Sequence, residues 1–370
     1  MFGTILLITF TVMHLYVLWR VVGLSIVKEN IPRKIIFLFF LLLWIVFLGG
    51  RYYGHDGNDL ISVHLEIIGM VCLGAVFIMT VSFLAIDILT GFGFLFTRSL
   101  NKLRTLAGVV GVLLILFSLV QGIRAPVIEN YIVYLPDLPQ NMDKTTVIAI
   151  SDTHIGSILG SEWLNNVVTQ ILEQNPDLIF ILGDFLEGHG AIQPDLQQIL
   201  QRLSAPLGVW AVPGNHDSYG RNNNSLQLIK NSGIQVLQNQ LIQIKSGFNL
   251  VGIDYLRREN RQSGKNSDFI EKSLSNLPGG VTIFLSHRPQ AVLEADSAGV
   301  ELMLSGHTHG GQIWPFDYLV QSNSPFLEGL YEIENMSLIV SRGAGTWGPR
   351  MRLWQPGEIL HITLRKGKKK

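Results

Sequence analysis

The chain holds one cysteine, Cys72, in 370 residues. An internal disulfide and a thiolate metal cage are both excluded, because each needs at least two sulfurs. Charge is also scarce: Asp, Glu, Lys and Arg make up 15% of the residues against 48% apolar, where a soluble domain carries about 25% charged residues. Neither sign is in excess, with 28 basic and 28 acidic residues. The chain therefore lacks the basic footprint of nucleic-acid binding, and no nucleic-acid partner is expected. The shortage of charge is uneven. Residues 1–124 hold 9 basic and 5 acidic residues, leaving 19 and 23 for residues 125–370. The first part is expected to be a transmembrane region, and the second a slightly acidic globular domain.

Long apolar runs fill the first part. A bilayer core of about 30 Å needs about 20 helical residues, and residues 2–24, 35–50, 67–86 and 106–123 approach or meet that length. The first run lacks the basic leader and small-residue cleavage site of a signal peptide, so it reads as a retained span. The second is short, but Lys34 and Arg51 extend it by turning their charges outward. Arg20, Lys28, Arg33 and Lys34 lie between the first two spans, and Arg98, Lys102 and Arg104 between the last two. The middle loop has only Arg51, beside Asp56 and Asp59. Basic loops stay in the cytoplasm, so the N-terminus and the C-terminal domain are expected outside it, in a multi-pass cell-membrane protein. His14, Glu66 and Asp87 lie in or at the ends of spans. All but His14 sit near an interface, so anchoring is expected rather than transport. A basic tail at residues 365–370 reads as a solvated terminus or a contact to anionic lipid.

From Thr146 onward, short apolar runs alternate with amphipathic segments. Strands are expected at residues 147–150, 178–182, 208–212, 249–253, 281–285, 301–305, 338–341 and 359–364. Leu164, Val167, Val168, Ile171 and Leu172 mark one face of a helix that Asn175-Pro176 ends. Strands joined by helices in some places and hairpins in others predict an α/β domain of mixed sheets.

Polar clusters follow the strands. Residues 147–150 lead into Asp152-Thr153-His154, 178–182 into Gly183-Asp184, and 208–212 into Gly214-Asn215-His216-Asp217. Likewise 281–285 lead into Ser286-His287, and 301–305 into Gly306-His307-Thr308-His309. The carboxyl edge of an open α/β sheet is where ligand sites form. Residues i and i+2 of extended backbone face one side, which would let Asp152 and His154, or His307 and His309, reach one ion together. Carboxylate, amide and imidazole donors without thiolate suit Mn, Fe, Zn or Co. Two such ions can share one hydroxide and clamp the attacking and leaving oxygens of an in-line phosphoryl transfer. A lone Asp-x-His or Gly-Asn-His-Asp is commonplace, but five clusters in order at five strand ends are not. His189 and His361 have no such pattern and read as structural.

The ordered set Asp152-x-His154, Gly183-Asp184, Gly214-Asn215-His216-Asp217, His287 and Gly306-His307-x-His309 resembles the calcineurin-like metallophosphoesterase superfamily. The extended Gly306-His307-Thr308-His309-Gly310-Gly311-Gln312, with Ser341-Arg342-Gly343-x-Gly345-Thr346 and Arg352, is similar to its membrane-anchored bacterial subgroup. The resemblance implies a four-layer α/β/β/α sandwich within residues 125–370, and the apolar runs put an all-α four-helix transmembrane region at 1–124 before it. It also implies two divalent metal ions. Asp152, His154 and His309 would hold one, Asn215, His287 and His307 the other, and Asp184 would bridge them. His216 would stand near the leaving group. Where the family often has Gly-Asp-x-x-Asp, this chain ends the motif in Glu187. Arg288 and Arg342, each at a strand end, are candidates for binding phosphate oxygens. The expected activity is hydrolysis of a phosphoester, preferentially a phosphodiester, with membrane lipids or envelope phosphoesters in reach of the anchored domain. The contrasting reading is a non-catalytic sensor or scaffold built on the same domain.

Overall fold

The computed structural model describes the chain apart from residues 1, 55, 56, 58, 157, 188–193, 219–223, 255–271, 273, 276, 369 and 370. Asp56, His189 and the end of the basic tail thus lie outside the described residues. The chain divides into two compact units, one of residues 1–123 with 348–354, the other of residues 124–347 with 355–370.

The helix unit consists of α1 (Phe2–Gly23), α2 (Ser25–Asn30), α3 (Arg33–Gly49), α4 (Leu60–Leu89) and α5 (Leu100–Ile123). Four segments are long and apolar enough to cross a membrane. The short second run becomes a 22-residue span over Arg33–Gly54, because the helix starts at the basic pair and continues as a π-type turn through Gly50–Gly54. The third is longer than expected. Asp59 caps α4 by accepting from the amides of Ile61 and Ser62, and Glu66 and Asp87 are buried within the helix rather than marking its ends. Phe10, Phe40, Phe47, Val76 and Phe83 form the core, with Phe10 and Phe47 stacked at 3.8 Å. Asp87 is fully buried. Its carboxylate meets Arg20 at 2.6 Å, accepts from Arg104 at 2.8 and 3.0 Å, and accepts the Tyr16 hydroxyl. The Arg20 guanidinium also lies 3.5 Å over the Trp19 ring.

A single boundary near residue 124 does not describe the chain, because Gly348–Trp354 returns to the helix unit. There the amide of Arg352 donates to Ser118 O at 3.0 Å, and Gln121 Nε2 donates to Trp354 O at 3.0 Å. A Cβ at Gly74 would come within 2.6 Å of Met351 Sδ, so that side chain would have to shift to admit it.

The second unit is built on two six-stranded sheets. The first has β1 (Val127–Leu135), β2 (Thr146–Ile150), β3 (Leu178–Ile181), β4 (Val209–Ala211), β5 (Gln235–Val236) and β12 (Glu358–Lys366), in the order β1-β12-β2-β3-β4-β5. The second has β6 (Gln240–Lys245), β7 (Phe248–Gly252), β8 (Val281–Leu285), β9 (Leu302–Ser305), β10 (Gly329–Ile333) and β11 (Met336–Val340), in the order β10-β11-β9-β8-β7-β6. Alternation along the strands makes the layers. Val147, Ala149, Leu178 and Phe180 pack with Leu250, Ile283, Leu302 and Ile339 of the other sheet. The intervening Ile148, Ile150, Ile179 and Ile181 face α6 (Ser161–Glu173), α7 (Leu196–Leu200) and α8 (Asn224–Asn231). Phe284, Met303 and Leu338 face α9 (Val292–Ser297) on the far side. The result is helix, sheet, sheet, helix. The parallel runs β2-β3-β4 and β8-β9-β11 put several carboxyl ends at one edge of each sheet.

Candidate metal centre

Asp152 and His154 follow β2, Asp184 follows β3, Asn215 and His216 follow β4, His287 follows β8, and His307 and His309 follow β9. The side chains converge as three groups of donor atoms, each within 4.8 Å: Asp152, His154 and His309; His154, Asp184 and His216; Asp184, His287 and His307. His154 Nε2 and His309 Nε2 are 3.1 Å apart, His309 Nε2 is 3.4 Å from Asp152 Oδ1, and His287 Nε2 is 3.2 Å from Asp184 Oδ2. His307 Nδ1 lies 3.2 Å from His287 Nε2. Two ring nitrogens this close share a proton or face a common cation.

The backbone achieves this convergence differently from the extended alternation expected. Asp152, His154, Asp184, His307 and His309 all have positive φ, between 45° and 75°. Left-handed turns, costly for such residues, therefore turn the side chains inward. Glycines take the closest approaches: a Cβ on Gly214 would collide with Asp184 Oδ1, and one on Gly306 with Ser151 Oγ.

Outer partners hold the donors in place. His287 Nδ1 lies 2.7 Å from Leu182 O, a carbonyl that can only accept, and His154 Nδ1 is 2.5 Å from Glu187 Oε2. These contacts commit the outer nitrogens and leave both Nε2 atoms facing the centre. Glu187 Oε2 also lies 3.2 Å from His216 Nδ1, so the residue that departs from the family motif joins a donor imidazole to His216. Asp217, to which sequence reasoning assigned no role, accepts from the amides of Asp184, Phe185 and Gly214 at 2.8, 3.1 and 2.8 Å. It ties the turn after β3 to the turn after β4, and its place beside His216 was the only signal. Trp347 is a further neighbour, its ring 6.4 Å from that of His216.

The buried carboxylates and imidazoles shift one another strongly. Burial opposes the charged form of His154, but Glu187, Asp184 and Asp152 outweigh it and push the imidazole up to about 9. His287 is likewise driven to about 9 by Asp184 against burial. Asp184 is held far below the usual carboxylate range, as His287, His154 and His216 overcome its own burial. Burial, His287 and Arg288 pull His307 down to about 2. Asp152 Oδ1 and Asn215 Oδ1 are buried without a hydrogen-bond partner. Oxygen and imidazole donors with oxygens left over fit borderline divalent ions.

Of the two arginines, Arg288 lies close enough to His307 to shift it. Arg342 departs from the expected role in anion binding. Its Nη1 is 2.9 Å from Glu358, its Nη2 2.7 Å from Glu129, and its Nε donates to Pro356 O at 2.8 Å. With the guanidinium buried and engaged on all sides, its charge serves the domain's own carboxylates.

Residues 145–311 match the profile of the calcineurin-like phosphoesterase family. An uncharacterized metallophosphoesterase of Aquifex aeolicus is 30% identical over 65% of this chain and 92% of its own length. One from Campylobacter jejuni is 32% identical over 70% of this chain and 69% of its own, and two from Helicobacter pylori are matched over 65% of theirs. A zebrafish transmembrane protein with metallophosphoesterase domain is 28% identical over 81% of this chain and 74% of its own. Among solved structures, a dimetal phosphatase from Danio rerio matches at 15% identity and a TM-score of 0.34, over 55% of this chain and 88% of that one. The chain belongs to the calcineurin-like metallophosphoesterase family. It carries four helices long and apolar enough to span a membrane.

Proposed function

We propose that this protein hydrolyses phosphodiesters of membrane headgroups or envelope phosphoesters with two divalent metal ions, drawn from Mn, Fe, Zn or Co. Asp152, His154 and His309 would hold one ion and Asn215, His287 and His307 the other, with Asp184 serving both. The observation that carries this reading is the pair of buried, unpartnered oxygens, Asp152 Oδ1 and Asn215 Oδ1, beside imidazoles whose outer nitrogens are already committed. When bound, the ions supply Lewis-acid polarisation of the phosphoryl oxygens and lower the pKa of the attacking water.

The chain supplies the rest. Asp184 would offer charge to both ions; its Oδ1 accepts from the His216 amide at 2.8 Å, which ties this carboxylate to the next turn. His216, whose Nδ1 lies 3.2 Å from Glu187 Oε2, delivers a proton to the leaving oxygen. Arg288 binds a non-bridging phosphate oxygen. The basic loops at Arg20 to Lys34 and Arg98 to Arg104 support a catalytic unit outside the cytoplasm. A reporter active only outside would then work after the C-terminus and stay silent after Lys28.

The test is metal analysis of the purified full chain together with turnover of a nitrophenyl phosphodiester and a phospholipid panel. Two ions per chain and turnover abolished by chelation are expected. Undiminished turnover after metal removal would overturn the mechanism, and stoichiometric metal without turnover of any ester would favour the sensor or scaffold reading.

A further inference from the structure

An exposed apolar face adjoins the metal centre. Trp314, Phe316, Tyr318 and Leu319 are 38, 40, 64 and 58% exposed, and Trp347 is 38% exposed. The first four lie on and just before α10 (Phe316–Gln321). Gln312 joins the group to Trp347 by two hydrogen bonds, its Nε2 donating to Trp347 O at 3.1 Å and its Oε1 accepting from the Trp347 amide at 2.9 Å. Residues 312–324 include a single charged side chain, Asp317, and one of its oxygens is buried. Isolated exposed apolar residues are ordinary, but a cluster of two tryptophans, a phenylalanine, a tyrosine and a leucine, with no cation in residues 312–324, is not.

We propose that this face seats in the interfacial layer of a lipid bilayer. Trp and Tyr combine an apolar ring with a polar tip, which suits the headgroup level of a membrane. The same chain carries four helices of spanning length. Trp347 is followed directly by Gly348–Trp354, which packs with those helices through Arg352 and Ser118. Trp347 is thus one peptide bond away from the segment that clusters with those helices. The lack of cations in residues 312–324 separates this mode from attraction to anionic headgroups: it works by partitioning of rings and is insensitive to salt. Its value for catalysis rests on the phosphoesterase reading. α10 abuts the turn that carries His309, since a Cβ at Gly311 would collide with Asp317. Seating α10 in lipid holds the rim of the metal centre at the depth of headgroup phosphates.

The test uses the full chain in phosphatidylcholine nanodiscs. Leu319→Cys, in a Cys72→Ala background, carries an environment-sensitive fluorophore, and the same label at Lys230→Cys on an exposed position of α8 serves as reference. At 319 the label should resist aqueous iodide several-fold more than at 230 and be quenched by doxyl-labelled lipid, unchanged by added salt. Quenching by iodide as at 230 would overturn the proposal. So would protection from both quenchers, which would mean a protein surface or a second copy covers the face. In a second measurement, the triple change Phe316→Ser, Tyr318→Ser and Leu319→Ser should lower turnover of a headgroup diester in the nanodisc about tenfold while a soluble nitrophenyl diester is turned over as before. Equal turnover of the lipid ester by both proteins would also overturn it. If the wild-type chain hydrolyses neither ester, the phosphoesterase reading fails, and the quenching pattern still decides the docking.

Discussion

The two units bury charge in opposite ways. In the helix unit, Asp87 is closed off: Arg20, Arg104 and Tyr16 use its oxygens. In the α/β unit, carboxylates and imidazoles converge as closely, yet Asp152 Oδ1 and Asn215 Oδ1 remain without a hydrogen-bond partner. A carboxylate whose oxygens are all engaged stabilises the fold, whereas donor oxygens left over have capacity for something else. Burial of an ionisable group therefore says little about function until its remaining capacity is counted.

This contrast can be broken by removing charge from each side. Asp184→Asn should lower turnover at least about 1,000-fold and reduce metal content, with the thermal stability of the helix unit unaltered. Near-native turnover in that variant removes Asp184 from the mechanism. His216→Ala should retain both metals and lose about 100- to 10,000-fold in rate, least for nitrophenolate leaving groups. Its proximity to His154 and Asp184 makes the metal assay decisive, because loss of an ion would make His216 a ligand. Asp87→Asn leaves two arginines facing a neutral amide and should cost about 3 to 5 kcal/mol of stability, read by unfolding in detergent, with turnover per folded molecule retained. If stability held and turnover fell, the closed network would have a functional role and the contrast would collapse.

The smallest effect concerns a carboxyl outside both clusters. Burial pushes Glu301 up to about 7 from 4.5, with Oε2 left without a hydrogen-bond partner. A raised carboxyl holds its proton more tightly in the folded chain, so stability falls as pH rises from about 4.5 through 7. Glu301→Gln should remove that slope in thermal melts across the window, and an unchanged slope would assign it to another group.

The central strands were legible because parallel strands covered on both faces read as continuous apolar runs, as in Val147 to Ile150 and Val281 to Leu285. β1, β6 and β10 were not, since most of their residues are half-buried or exposed, with Glu129, Gln243 and Glu332 among them. Donor chemistry was visible as His, Asp and Asn after each central strand. Its geometry was hidden, because left-handed conformations at Asp152 and His154 leave no mark in residue type. Nor was the fate of Arg342 readable, since one carboxylate that engages it, Glu129, is 213 residues away in the chain.

The return of Gly348–Trp354 to the helix unit has a consequence for how the protein comes apart. The polypeptide passes between the units three times, after Ile123, after Trp347 and after Trp354. A protease that nicks the chain at Arg124 cuts only the first passage. The other two still run to a segment held against α5 by the Arg352 amide and the Gln121 side chain. The nicked halves should therefore migrate together until that segment is pulled free. A chain begun at Arg124 would leave Met351 and Arg352, both buried here, without the helices that cover them.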